Sequence, residues 1–219
     1  MSSTLSARGA PGYILLIAAI FCAFEAAFAL TDAGILPIEE MRGQVYLYGA
    51  FFDPYFEELL AGREVPATFW SSWLTHAFLH GGVLHVAMNT AVFLGLGSYI
   101  ARGIGPLRFA ILFVVTAVAG ALFFAVISDT YGPMIGASGV LFGLIGALKF
   151  WEWRYIRMTG AAPNRFWGTI IGLIILNVAL AFSFPGEGSL AWEAHLGGFV
   201  AGFLIAPILA PNAAGPSPI

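Results

Sequence analysis

A single serine lies in a stretch that is otherwise glycine and apolar residues, and the histidines of the chain lie near or within two other apolar stretches. Ser138 stands in PMIGASGVLFGLIG, while His80, His85 and Asn89 stand in HGGVLHVAMN and His195 in AHLGGFVAG. A serine hydroxyl is a weak nucleophile until a base removes its proton. Histidine, with a pKa of ~6.5, can take that proton and return it. These residue types therefore fit nucleophilic catalysis by Ser138 with a histidine base.

The composition places these residues in a membrane. Of the 219 residues, 59% are hydrophobic and only 10% are charged, a balance that no soluble domain of this size needs to fill a core. The apolar runs are long enough to predict six spans, at 13–30, 79–100, 107–127, 138–150, 166–184 and 190–209. We therefore expect an all-α membrane protein in which the six-span core covers 13–209.

The segments outside the spans and the net charge indicate which partners the protein can be expected to have. We expect a short tail at 1–12, a long external loop at about 31–78 and a disordered, proline-rich tail at 210–219. The net charge is −3, and there is no basic run. Nucleic acid is therefore not an expected partner, and the lipid bilayer is.

The distribution of cations predicts the orientation. Seven of the nine Lys and Arg residues fall on the N-terminal tail, the second–third connection and the fourth–fifth connection, which six alternating spans place on one side. By the positive-inside rule this side is cytoplasmic, so both termini are cytoplasmic and the acidic first loop is outside. In an alternative interpretation the first run is a cleaved signal peptide. Against it, Glu25 interrupts the apolar region, and that region is long.

The spacing predicts that the polar residues meet at one depth. Spans two, four and six run from the outside inwards, and a rise of ~1.5 Å per residue puts His85 and His195 about 8–9 Å below the start of their spans. Lys149 is expected to mark the cytoplasmic face. A helix from Pro133 to Leu148, just before it, covers only ~24 Å of a core that is ~30 Å thick. The fourth helix is therefore expected to be short and recessed, with Ser138 at its start. The non-helical backbone before it must be enclosed by protein or by a water-filled cavity.

Small residues predict which helices touch. They recur at intervals of four in spans four and six, as Gly139 and Gly143 and as Gly198 and Gly202. This interval lets helix backbones approach closely. Packing of span four on span six would bring the Ser138 hydroxyl within hydrogen-bonding reach of the His195 imidazole.

Each polar residue also has a purely structural interpretation. A lone membrane serine usually bonds its own helix, and a lone histidine usually joins two helices. The coincidence of depth and glycine spacing favours catalysis for Ser138, whereas His76, near the loop, is expected to anchor that loop. Glu25 has no evident partner. Because Cys22 is the only cysteine and the histidines are scattered, no metal site and no cofactor are expected.

The three motifs, GASG, HGGVLHVAMN and AHLGGFVAG, resemble the signatures of the rhomboid intramembrane serine proteases in order, spacing and span. The resemblance covers nearly the whole chain and implies a six-helix rhomboid-like bundle. It also implies a catalytic dyad of Ser138 and His195 that cleaves transmembrane segments through an acyl-enzyme. His85, Asn89 and the backbone N–H of Ser138 would donate to the oxyanion. The supporting positions in the motifs are His80, Gly136, Gly139, Phe142, Gly198 and Gly202.

The chain departs from the family pattern at two places. Phe142 stands where members often have a tyrosine, so stacking on the imidazole can persist without the hydroxyl. The first loop reads FWSSW instead of carrying a Trp-Arg pair, which leaves open how the loop is anchored. The lack of a seventh span matches the compact bacterial form, which predicts an inner-membrane protein whose site opens to the outside. Glu193, two residues before His195, points to another helix face, which favours a dyad over a triad.

Two other classes of function stay open. The first is a catalytically inactive rhomboid-like protein that binds transmembrane helices, which the presence of both Ser138 and His195 disfavours. The second is a proton-coupled transporter, which would favour polar groups at the midplane and a repeat between halves, neither of which is evident. The expected substrates are single-span or other transmembrane proteins. The sequence does not identify the physiological substrate or the oligomeric state.

Overall fold

The protein is built from helices. The computed structural model describes residues 9–128, 131–183 and 191–209, which excludes most of the predicted N-terminal tail and all of the predicted C-terminal tail. Within the described residues, ten α-helices follow one another in chain order. They are α1 (Gly12–Asp32), α2 (Met41–Gly49), α3 (Asp53–Leu60), α4 (Ala67–Thr75), α5 (Val83–Val92), α6 (Ser98–Ile104), α7 (Pro106–Ile127), α8 (Ser138–Thr159), α9 (Asn164–Ser183) and α10 (Trp192–Ile205).

Three of the described helical stretches are long and apolar enough to cross a bilayer. They are α1, the continuous helix Val83–Ile104 and α7. The second of these consists of α5, a π-helical segment at Phe93–Gly97 and α6. Helix α9 adds a shorter apolar stretch, Asn164–Ala179. The all-α membrane architecture is confirmed, while the count of six membrane spans stays a prediction.

The helices that carry the three motifs begin close to the polar residues. Helix α5 starts four residues later than predicted, because Gly82 has a φ of 139°, which a helix does not allow. His85 is the third residue of α5 and His195 the fourth residue of α10, so each lies only ~3–5 Å from its helix start and not 8–9 Å. Ser138 is the first residue of α8, as predicted.

Helix α8 is longer than the predicted fourth span at 138–150. It has 22 residues and continues past Lys149, which was expected to mark the cytoplasmic face. Lys149 is buried, pairs with the Glu152 carboxylate one turn further on and donates a 3.0 Å hydrogen bond to Oγ1 of Thr169 on α9. These partners compensate the buried charge, so the helix can continue through it. The expectation of a short helix therefore applies only to its apolar part.

The predicted first loop contains three helices, α2 to α4, and a 3₁₀ turn at His76–Phe78. Arg42 on α2 binds the buried carboxylate of Glu25 on α1 through both Nη atoms, at 3.0 and 3.2 Å. It also pairs with Asp32 at 3.0 Å. The hydrogen bond with Glu25 raises the pKa of the Arg42 guanidinium above its usual value. Arg42 is thus the partner that the sequence did not reveal for Glu25, and it anchors the loop.

The non-helical segment before α8 is enclosed by the first loop. Phe51 and Met134 exchange two backbone hydrogen bonds, of 3.1 and 2.8 Å. The N–H of Gly136 donates to the carbonyl oxygen of His76 at 2.9 Å. Nε2 of His76 lies 3.4 Å from the carbonyl oxygen of Ala117 on α7, in agreement with the expected anchoring role. These bonds satisfy backbone groups that could not be left unpaired at membrane depth.

Helices α8 and α10 pack with their backbones in contact, more extensively than any other pair of described elements. A Cβ atom on Gly198 would overlap the carbonyl oxygen of Gly139, and one on Gly202 would overlap that of Gly143. The predicted pairing of the two glycine intervals is confirmed. This contact holds the start of α8 beside the start of α10, where the candidate nucleophile and base lie.

Candidate active site

Ser138 and His195 are hydrogen-bonded to each other. Oγ of Ser138 lies 2.8 Å from Nε2 of His195, although the residues are 57 positions apart in sequence. His195 is only 3% exposed, while Ser138 is partly exposed. The geometry therefore combines a hydroxyl that a reactant can approach with a base already in hydrogen-bonding contact.

The other ring nitrogen of His195 also has a partner, and sequence reasoning missed it. Nδ1 lies 2.6 Å from Oδ1 of Asn177 on α9. The amide nitrogen of Asn177 donates to the carbonyl oxygen of Leu173 at 2.8 Å. The signal was present in the sequence, because Asn177 is a polar residue in the outer half of the predicted fifth span, but no motif surrounds it.

These bonds define the protonation of the His195 ring. The amide oxygen of Asn177 can only accept, so Nδ1 must carry the proton and donate it. In a neutral imidazole Nε2 is then left as the acceptor, and Ser138 donates its hydroxyl proton to it. This is the tautomer that a general base requires, since the lone pair points at the proton to be removed.

Phe142, one turn after Ser138 on α8, covers the face of the same imidazole. The two rings are stacked with their centroids 4.3 Å apart and an interplanar angle of 6°. The sequence predicted that stacking can persist with phenylalanine at this position. The contact restricts rotation of the His195 ring out of the plane that faces Ser138.

His85 lies close to Ser138 and has the tautomer opposite to that of His195. Its Nδ1 accepts a 3.3 Å hydrogen bond from the backbone N–H of Gly81, which leaves the proton on Nε2 in a neutral ring. A Cβ atom on Gly136 would lie 2.9 Å from Nε2 of His85 and 3.7 Å from Oγ of Ser138. Both side chains thus border the space at Gly136, whose φ of 120° and lack of a Cβ keep that space open.

Asn89 and His80 both contact His85. Asn89 is buried, its amide nitrogen donates to the carbonyl oxygen of His85 at 2.9 Å, and its Oδ1 has no hydrogen-bond partner among the described residues. The amide group retains a second N–H for another acceptor. His80 is fully buried, and its ring packs edge-on against that of His85 with centroids 5.0 Å apart. His80 therefore supports the position of His85.

The N-terminal ends of α5, α8 and α10 carry His85, Ser138 and His195 respectively. The first N–H groups of a helix have no partner within it, and the helix dipole places partial positive charge at that end. Negative charge that develops beside Ser138 would be stabilised by this arrangement. In the part of the chain that the structure describes, no three His, Cys, Asp or Glu side chains form a group that could hold a metal ion.

The chain is similar in sequence to several known proteins. A profile of the rhomboid domain matches residues 67–212. RHOMBOID-like protein 5 of Arabidopsis thaliana is 28% identical over 214 residues, which cover 89% of this chain. Rhomboid protease GluP of Bacillus subtilis (strain 168) is 32% identical over 148 residues, or 67% of this chain. Inactive RHOMBOID-like protein 8 of Arabidopsis thaliana is 36% identical over 75 residues, or 34% of this chain.

The relatives are longer than the matched part. The matches cover 66% of RHOMBOID-like protein 5, 27% of the Bacillus protease and 21% of the inactive Arabidopsis protein. The similarity therefore concerns the helical core that contains the motifs. The relatives include both a protein named as a protease and one named as inactive, so the question of activity depends on the site residues of this chain.

Proposed function

Because this chain belongs to the rhomboid family, we propose that it is an intramembrane serine endopeptidase in which Ser138 is the nucleophile and His195 the general base. The observation that carries the proposal is the 2.8 Å contact between Oγ of Ser138 and Nε2 of His195, with Nδ1 of the same ring held as a donor. A hydroxyl, a base and a group that orients the base are the parts that serine hydrolases use on unrelated folds.

The reaction follows from these atoms. Oγ of Ser138 attacks the carbonyl carbon of a peptide bond while its proton passes to Nε2 of His195. The imidazolium then returns this proton to the nitrogen of the departing amine as the C–N bond breaks, which leaves an ester between Ser138 and the substrate. Water attacks the ester with His195 again as base, and the carboxylic acid leaves with Ser138 restored.

The oxyanion of each tetrahedral intermediate needs hydrogen-bond donors. We assign this role to Nε2–H of His85, the amide of Asn89 and the backbone N–H of Ser138. The support is the protonation of His85 imposed by Gly81 and the shared border of His85 and Ser138 on the space at Gly136. Preorganised donors of this kind are typically worth ~10²–10³ in rate each.

The proposed substrates are transmembrane segments of single-span or other membrane proteins. The support is the family and the location of the site among apolar helices, several of whose side chains face outwards. The distribution of Lys and Arg supports an orientation with cytoplasmic termini, so cleavage would occur near the outer half of the bilayer.

The alternative function is binding of transmembrane helices without cleavage, and a relative named as inactive makes this a specific possibility. A binder would not need Ser138 and His195 in hydrogen-bonding contact, nor the orienting contact of Asn177. Both contacts favour the protease.

The test is cleavage of a single-span substrate by the purified protein in proteoliposomes. We expect wild type to cleave, and Ser138→Ala, His195→Ala and the double variant to lose activity to a similar extent, because the two residues act as a unit. Ser71→Ala, which removes an exposed hydroxyl on α4 that bonds only its own helix, is the matched control and should cleave normally. Near-normal turnover by Ser138→Ala would contradict the proposal, and binding without cleavage by wild type would favour the alternative.

A further inference from the structure

We infer that Asn177 is a positioning residue that selects the catalytic tautomer of His195, so that the site works as a Ser-His-Asn arrangement rather than as a dyad. The inference rests on the proposed function of Ser138 and His195. It adds a residue from α9, a helix that carries none of the three sequence motifs.

The amide of Asn177 is fixed at both ends. Its Oδ1 lies 2.6 Å from Nδ1 of His195, and its Nδ2 donates to the carbonyl oxygen of Leu173 at 2.8 Å. Rotation of the amide by 180° would place its NH₂ group against the protonated Nδ1 and its oxygen against the oxygen of Leu173. Both hydrogen bonds would be lost, so Asn177 presents a fixed acceptor to the imidazole.

A fixed acceptor at Nδ1 has three consequences for the base. It holds the proton on Nδ1, which keeps Nε2 free to accept from Ser138. It fixes the direction of the ring, since the hydrogen bond lies in the ring plane. It also strengthens when the ring becomes positively charged, which stabilises the imidazolium formed during attack. In the Cys-His-Asn proteases an amide is the group that orients the histidine, so a carboxylate is not required.

Other contacts of His195 do not replace Asn177. Phe142 stacks on the ring face and restricts its tilt, but a stacked phenyl ring cannot distinguish the two nitrogens. Without an acceptor at Nδ1, the tautomer with the proton on Nε2 becomes accessible, and in that tautomer Ser138 has no base. The geometry therefore gives Asn177 a role separate from that of the packing around His195.

Kinetics of three variants test the role. Asn177→Leu preserves side-chain size but removes the acceptor, and we expect kcat to fall by about 10- to 100-fold with KM changed less than about twofold. Asn177→Asp keeps an oxygen acceptor for Nδ1 and should recover part of this loss, although its second oxygen cannot donate to the carbonyl oxygen of Leu173. Asn164→Leu, which removes an exposed amide from the first residue of the same helix, is the matched control and should behave as wild type.

A second measurement reads the tautomer without any need for cleavage. In protein labelled with ¹⁵N-histidine, the His195 signals are assigned by their absence from His195→Gln. We expect the unprotonated nitrogen of His195 to be Nε2 in wild type and in Asn164→Leu. In Asn177→Leu we expect a mixture of tautomers or a shift towards protonated Nε2.

The two measurements separate this inference from the proposed function. If wild type cleaves, and Asn177→Leu keeps both its kcat and the wild-type tautomer, the positioning role is overturned while the protease stands. A loss of kcat with an unchanged tautomer and no recovery in Asn177→Asp would also overturn it, because this pattern indicates only damaged packing. If wild type does not cleave but Asn177→Leu alters the tautomer, Asn177 still positions His195 and it is the protease that fails.

Discussion

The imidazole of His195 is held on three sides, by Ser138 at Nε2, by Asn177 at Nδ1 and by Phe142 on its face. Each contact restricts a different freedom of the ring, namely its distance from Ser138, its tautomer and its tilt. His85 is held in the complementary way, as an acceptor from Gly81 and thus as a donor at Nε2. At the scale of residues, the hydrogen bonds leave Nε2 as an acceptor in His195 and as a donor in His85.

The oxyanion assignment predicts effects on the rate of the chemical step. We expect Asn89→Ala to lower kcat by up to ~10²-fold, because one donor is lost while the others remain, and to change KM little, because the interaction strengthens in the transition state. His85→Ala should lower kcat further, since a larger side chain is lost beside His80 and packing suffers as well. Steady-state kinetics in a single lipid composition measure both quantities.

Met88→Ala on the same helix is the control, because Met88 is 53% exposed and lies next to Asn89 in sequence. It should leave kcat unchanged. If His85→Ala and Asn89→Ala instead raised KM with an unchanged kcat, both residues would belong to the substrate path, and the oxyanion assignment would be wrong.

The sequence identified candidate site residues that lie in motifs, but it did not identify Asn177, which lies in none. Polarity at membrane depth singled out Ser138, His195, His85 and Asn89, and glycines at regular spacing favoured catalysis for Ser138 and His195. The oxyanion role of His85 and Asn89 came only from the resemblance to the rhomboid proteases. Asn177 obeys the same rule of polarity at depth. It stands alone in its span, however, and one amide that bonds its own helix needs no further explanation. Its contact with His195 depends on the position of α9 relative to α10, which no local pattern specifies.

At the scale of elements, the contact between α8 and α10 determines the distance between Ser138 and His195. The two backbones touch where Gly198 faces Gly139 and where Gly202 faces Gly143. This pairing could be predicted, because the spacing of small residues four positions apart can be seen in the sequence. The length of α8 could not, since it depends on the pairing of Lys149 with Glu152 and Thr169 beyond the apolar part.

Gly198→Ala should damage both stability and activity. The added methyl group would overlap the carbonyl oxygen of Gly139, so the helices must separate, at a cost of about 1–3 kcal/mol in the free energy of unfolding. Separation also lengthens the contact between Ser138 and His195, so kcat should fall by at least about tenfold. Thermal unfolding and cleavage rates in the same detergent measure the two effects.

Gly172→Ala provides the control for this prediction. Gly172 is also inside a helix, α9, but a Cβ atom there would have nothing within 4 Å. Its replacement should be neutral or slightly stabilising, because alanine has the higher helix propensity. Equal behaviour of the two variants would show that the backbone contact between α8 and α10 does not determine stability.

At the scale of the whole molecule, one arginine connects the first loop to the membrane helices and to the site. Arg42 on α2 pairs with Glu25 on α1, and its Nη1 donates to the carbonyl oxygen of His80 at 3.2 Å. Tyr46 donates to the same oxygen at 2.7 Å. The segment just before α5 is thus tied to the loop, which helps to position His85. Arg42 and Arg63 are the two cations that do not lie on the predicted cytoplasmic side, and no sequence pattern indicates that Arg42 has a buried partner.

Arg42→Ala should destabilise the protein by about 3 kcal/mol, because it leaves the carboxylate of Glu25 buried without its partner. The double variant Arg42→Met with Glu25→Gln should recover much of this loss, since it removes both charges. Arg63→Ala breaks an exposed pair with Glu58 and should leave stability almost unchanged, because solvent screens that pair. Equal losses for Arg42→Ala and Arg63→Ala in thermal unfolding would contradict the anchoring role.

The most direct test of the central claim is covalent labelling of Ser138, the proposed nucleophile. A fluorophosphonate reacts with a serine hydroxyl that a base activates, without any contacts from a substrate. We predict a single adduct on Ser138 in the wild-type protein, located by peptide mass spectrometry, and its loss in His195→Ala. Cleavage of a transmembrane substrate by a protein whose Ser138 stays unlabelled, or equal labelling of Ser138 in His195→Ala, would contradict the account.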